Sequence, residues 1–237
     1  MPGPTARPEI GIVVALAAEA ASLGARHLRV GQCAVVRGMW VVLAGPGDEP
    51  AAEAAGTLVA HGARVLVSWG VAGGLSPMLA AGDLVVPERI VADSQAWSVD
   101  AVWRARLVRA LAVHEAGARQ LWSGTQPVLS LAAKRALMAR GMATADMESA
   151  AVARIAAGAA VPFVAVKAVC DPPGRAVPQA ALDLLGANGR LRWRGVAGAV
   201  RGGPRTWQAL NDLRRDFALA QHTLRRAARS LPLPSVP

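Results

Sequence analysis

Residues 147–174 read MESAAVARIAAGAAVPFVAVKAVCDPPG. Met147 to Ala157 is rich in Ala and free of Gly and Pro, the composition of a helix. From Phe163 to Val169 follows the most apolar strand candidate of the chain, and Pro172-Pro173-Gly174 then ends regular structure at once. A helix feeding an apolar strand is the unit of a mostly parallel sheet covered by helices. Outward from this stretch the same alternation holds from Pro8 onward. Strands are predicted at Ile10–Leu16, Cys33–Val36, Trp40–Ala44, Val65–Trp69, Asp83–Val86 and Arg119–Trp122. Helices are predicted at about Pro50–His61, Val102–Glu115, Leu131–Ala139 and Thr206–Arg229, and Arg37-Gly38-Met39 reads as a hairpin turn. The expected fold is α/β, a mixed central sheet flanked by helices.

The chain has 237 residues, enough for one α/β domain with a full core. Its formal charge of +10 is unevenly placed: ten Arg against Asp212 and Asp216 lie beyond residue 189, and the body is nearly neutral. That distribution argues against nucleic acid as the partner of the body and leaves an acidic surface as a partner for the tail alone. Cys33 and Cys170 are the only cysteines, far apart and without metal-ligand spacing, as in a reduced intracellular protein needing no metal. Glu9 and Glu19 interrupt what would otherwise imitate a cleaved leader. Lys134 and Lys167 are the only lysines in an Arg-rich chain, which we read as codon preference.

In open α/β sheets ligands bind beyond the C-terminal ends of strands. The residues there are Glu19, Gly45-Pro46-Gly47, Gly70-Val71-Ala72-Gly73-Gly74, Asp146-Met147-Glu148 and Asp171. The glycines permit close backbone approach to a ribose or phosphate, or serve as plain strand-to-helix turns. Asp146 suits a helix N-cap. Glu148, between Met147 and Ser149, fits a solvated face less well and could accept two hydrogen bonds from a ribose diol. Asp171 is either an ordinary turn residue before Pro or, in a pocket, an acid holding a proton for a leaving group. Glu19 either begins a helix or faces inward as a base.

Taken in order, Ile10 to Leu16 with Glu19, Gly45-Pro46-Gly47, Ala72-Gly73-Gly74-Leu75 with Gly82 to Pro87, Asp146 to Ala151, and Val161-Pro162-Phe163 through Asp171 form five motifs in register. Over residues 9–173 they resemble the nucleoside phosphorylase superfamily, most closely its methylthioadenosine/S-adenosylhomocysteine nucleosidases. The resemblance implies a three-layer phosphorylase-type fold, a homodimer or larger oligomer, and cleavage of the bond between adenine and ribose without a cofactor. It implies that Glu148 grips the ribose hydroxyls with Met147 against the sugar, that Asp171 protonates the purine, and that Glu19 is the base that activates water. Gly73, Val128 and Lys167 are implied as substrate-binding residues, Val128 through its backbone. The sequence departs from the family at Lys167, where Arg is usual, at Cys170 for Ser, at Val71 for Ser and at Pro127 for an aromatic; the loop from Ala92 to Trp103 is also short. Phosphorolysis is the alternative reaction, but the Arg-rich phosphate cradle is missing and Glu19 would repel phosphate.

We expect residues 9–189 to form the catalytic domain and 190–237 a basic, partly helical extension of it. Trp207, Leu210, Leu213, Phe217, Ala220, Leu224 and Ala227 share one helix face flanked by arginines. Such a face packs on the core or lies on an anionic membrane. With the Asp171-Pro172-Pro173 and Asp146 to Ser149 variants, this tail resembles the hopanoid-associated phosphorylase branch. That resemblance implies adenosylhopane, a lipid-linked adenine nucleoside, as substrate and a cytoplasmic enzyme in peripheral contact with the inner face of the membrane.

Overall fold

A computed structural model describes residues 8–113, 119–179, 181 and 203–231. Among the described residues ten strands and six helices follow in chain order: β1 (Ile10–Val14), α1 (Ala17–Ser22), β2 (Cys33–Val36), β3 (Met39–Leu43), α2 (Asp48–Ala60), β4 (Val65–Gly74), β5 (Leu84–Val85), β6 (Arg89–Val91), β7 (Ala96–Ser98), α3 (Ala101–Ala110), β8 (Gln120–Ser123), α4 (Leu131–Ala139), β9 (Thr144–Asp146), α5 (Ser149–Gly158), β10 (Phe163–Asp171) and α6 (Gly203–Arg229). The fold is the expected one, a mixed sheet flanked by helices.

The apolar runs that define β1, β4 and β10 are buried on both faces, which is why they read as nearly continuous rather than alternating. β1 lies parallel between β3 and β4, and β4 has β10 parallel on its other side. Gly73 and Gly74, at the far end of β4, pair antiparallel with β9, from which the sheet continues through β8 and β6 to β7. β4 therefore belongs to both arms of the sheet. Helices α2 and α5 pack on each other and on β1, β4 and β10, while α6 packs with α1 and covers β10.

Local chemistry explains the element ends. Asp100 accepts from the Trp103 N–H and Ser130 from the Ala133 N–H, capping α3 and α4. Arg37 (φ 52°) and Gly38 (φ 76°) make the two-residue turn of the β2–β3 hairpin.

Four expectations need correction. Gly70 to Gly74 are not a turn: β4 runs through them because β10 continues the ladder beside them, as far as Asp171 opposite Gly73. The segment from Ala92 to Trp103 is not a plain loop, since it contains β7, paired with β6, and the start of α3. The predicted helix over Val102–Glu115 ends at Ala110, and its last predicted residues lie among 114–118, outside the described residues. The helix predicted from Met147 starts at Ser149, because Met147 and Glu148 are held in the turn that Asp146 caps.

Candidate active site

The site grows from the paired ends of β4 and β10. Gly70 lies opposite Lys167 and Gly73 opposite Asp171, with a register shift between Val169 and Asp171. That bulge re-aims the last residue of β10. Each glycine clears the way for a carboxylate. A Cβ on Gly70 would lie 2.3 Å from Glu19 Oε1, and one on Gly73 would lie 3.2 Å from Asp171 Oδ1. The two glycines are three steps apart along the strand, about 10 Å at a rise of ~3.3 Å per residue. Glu19 and Asp171 therefore approach β4 at different points along it.

Glu19 sits on the short helix α1, and its carboxylate turns inward to close that helix's own start. Oε2 accepts from the Ala15 and Leu16 N–H groups and Oε1 from the Val71 N–H, each at 2.9 Å. Glu19 therefore lies in the first turn of a helix and also faces the interior. A carboxylate has about four acceptor sites, so Oε1 keeps one for a further donor such as water.

Asp146 ends β9. Its Oδ1 accepts from the Ser149 N–H at 3.2 Å, capping the turn into α5, and its Oδ2 is 2.8 Å from Lys167 Nζ. Glu148 Oε1 accepts from the Gly47 N–H at 2.9 Å, where the tight Gly45-Pro46-Gly47 turn enters α2. Lys167 is 2% exposed and its charge reaches Asp146, Glu148 and Glu19 together. Burial works against the Lys167 ammonium, but these three carboxylates outweigh it and hold its pKa above the usual value. Burial and the Asp146 charge push Glu148 up to about 7, against the opposing pull of Lys167 and the Gly47 N–H. Burial likewise raises Glu19, opposed by Lys167 and the three backbone N–H groups.

Asp171 stands in a second group. Lys134 Nζ, reaching across from α4, donates to Asp171 Oδ2 at 2.5 Å and to the Pro172 carbonyl at 2.9 Å. The Cys170 thiol donates to Asp171 Oδ1 at 3.3 Å. Burial raises the Asp171 carboxyl, and the Lys134 ammonium opposes that rise.

The structure thus gathers Glu19, Glu148 and Lys167 in one charge cluster and places Asp171 beside it on the same pair of strands. Met147 is half-buried, with its N–H directed at Glu148 Oε2 at 3.3 Å. Gly73 serves Asp171 by leaving it room. Val128 lies in the segment between β8 and α4 and packs on the cluster of Leu75, Trp122, Leu137, Met142 and Ala145. Sequence reasoning missed Lys134 altogether. The two lysines of the chain, read as codon residue, both prove to be buried partners of site carboxylates. Their scarcity beside so many arginines was the available signal. Among the described residues no group of His, Cys, Asp and Glu is arranged to hold a metal ion.

A family model for the phosphorylase superfamily matches residues 9–190. The chain belongs to that superfamily and is an enzyme of the nucleosidase and nucleoside phosphorylase kind. No curated protein matches it. Similar solved structures include the 5′-methylthioadenosine/S-adenosylhomocysteine nucleosidase of Neisseria meningitidis in complex with methylthio-immucillin-A, with TM-score 0.65, 18% identity, and 94% of this chain and 99% of that chain covered. Futalosine hydrolase of Helicobacter pylori aligns with TM-score 0.67 at 15% identity, over 94% of this chain and 97% of that one. The H. pylori 5′-methylthioadenosine/S-adenosylhomocysteine nucleosidase with butyl-thio-DADMe-Immucillin-A gives 0.66 at 16% identity, over 96% and 100%.

Proposed function

We propose that this enzyme hydrolyses the N-glycosidic bond of an adenine nucleoside. The observation that carries the reading is the clustering of Glu19 and Glu148 about the buried Lys167, with Asp171 on the adjoining end of β10. Glu148, fixed by the start of α2, accepts hydrogen bonds from the ribose diol. Asp171 gives its proton to the purine as the C–N bond breaks, so the base leaves neutral while an oxocarbenium-like sugar develops. Water on the free acceptor site of Glu19 Oε1 loses its proton to that carboxylate and adds to the sugar. Lys167 does not touch the substrate in this scheme; it holds the carboxylates in place. Three carboxylates around one ammonium favour water over phosphate as the nucleophile.

The finer substrate we propose is a nucleoside with a large apolar 5′ group, adenosylhopane, met at the inner face of the membrane by a cytoplasmic homodimer. Its support is the resemblance of the basic tail and of the Asp171-Pro172-Pro173 motif to the hopanoid-associated branch. The structure divides the tail's apolar stripe. Ala220, Leu224 and Ala227 are spent on the core, whereas Trp207 is 46% exposed and Leu210, Leu213 and Phe217 are half-buried, so only the first half of the stripe is free for a lipid. No helix among the described residues is long and apolar enough to cross a membrane. The test is release of adenine from a panel of 5′-substituted adenosines. Adenosylhopane should be cleaved much faster than methylthioadenosine, and the reverse order contradicts the lipid substrate.

A further inference from the structure

Lys134 has no step in the reaction above, yet it is buried to 1% exposure. A buried ammonium is costly unless it is paired and hydrogen-bonded. The described partners of Lys134 are Asp171 and the carbonyl of the next residue, so its placement serves that one corner of the site. Among the described residues, the other titratable groups that act on Asp171 are Cys170 on β10 and Asp216 on α6, which is itself paired with Arg175 at 2.5 Å. Asp216 acts on Asp171 and on Lys134 from α6.

Once an acid in such a place has given up its proton, it leaves a carboxylate with little water around it and a second carboxylate nearby. A fixed cation at bonding distance stabilises that charge as it develops, without reorganisation at the moment of reaction. We propose that Lys134 is a positioning residue for Asp171, the counter-ion against which Asp171 releases its proton to the leaving base. In this step the Asp171 O–H bond and the glycosidic C–N bond break, the C–N electron pair goes to the base, and a new N–H bond forms on it. Lys134 keeps its three protons throughout and ends beside a full negative charge. This inference rests on the proposed role of Asp171 as the acid.

Lys134→Met, Lys134→Gln and Lys134→Arg, compared with wild type, test it by two readouts. One is the titration of the Asp171 carboxyl carbon by 13C NMR, assigned with Asp171→Asn, which needs no substrate. The other is the pH dependence of kcat and kcat/KM for adenine release. Removing the cation favours the protonated carboxyl, so in the Met and Gln variants Asp171 should titrate about one pH unit or more higher. The falling limb of kcat/KM should move up with it, and kcat should drop about ten- to a hundredfold while KM changes little. The Arg variant keeps the charge and should keep the limb near its wild-type position. An unshifted Asp171 titration in Lys134→Met or Lys134→Gln overturns the role of Lys134. Wild-type enzyme that releases no adenine overturns instead the proposed reaction.

Discussion

Two of the site carboxylates are tuned by different neighbours, which fits the different work proposed for them. Asp171 faces one ammonium across a short hydrogen bond, an arrangement suited to releasing a proton. Glu148 faces Asp146 as well as Lys167 and sits near pH 7, at the edge of the ionised form that can accept two hydrogen bonds from a diol. If each acts in the same transition state, Glu148→Gln and Asp171→Asn should each reduce turnover by about two orders of magnitude or more in a folded protein. Normal adenine release by either variant would remove that residue from the site. The raised pKa of Glu148 also has a thermodynamic consequence. A carboxyl titrating at about 7 in the native state and 4.5 unfolded keeps its proton longer when folded, so its stabilisation is full below 4.5 and is lost as pH rises to about 7. Glu148→Gln removes this loss. Its melting temperature should exceed that of wild type at pH 8, and the gap should narrow toward pH 5; an equal gap at both would show that Glu148 titrates normally.

Among the elements, β4 matters most, because its far end must pair like a strand and yet leave room above its backbone. Gly70 shows the constraint: a single methyl there would collide with the Glu19 carboxylate, which three backbone N–H groups hold in place. Gly70→Ala should therefore fold with β4 intact but lose most activity, and a crystal structure should show Glu19 turned away from Val71. Full activity in that variant would mean that the position of Glu19 is immaterial. The same stretch shows where sequence reading reaches its limit. Val65 to Trp69 was legible as a strand from its apolar run, but the glycines after it looked like a turn because their extended conformation is imposed from outside, by β10. The three-residue strands β6 and β7 and the six-residue α1 are too short for a period to declare itself. The sequence predicted α4 with the same bounds the structure has, yet the lysine within it was read only as codon preference. Its burial depends on the end of β10, which no local pattern reveals.

At the scale of the molecule, the C-terminal helix is part of the body as well as a basic surface. Thr223 Oγ1 donates to the Gly82 carbonyl at 2.7 Å, Arg37 donates to the Ala228 carbonyl, and Leu224 lies in the main core. Through Arg175 and Asp216 the same helix comes within electrostatic reach of Asp171. Its C-terminal half therefore packs as part of the body and carries Arg225, Arg226 and Arg229, while the apolar residues of its first half, Trp207 among them, are more exposed. The fold and family would serve water or phosphate equally well as nucleophile, and the charge around Lys167 is what argues for water. Product analysis with adenosine nucleosides in millimolar phosphate tests this most directly. Free adenine and a free ribosyl product should accumulate together, with no sugar 1-phosphate; predominant formation of the sugar phosphate would contradict hydrolysis.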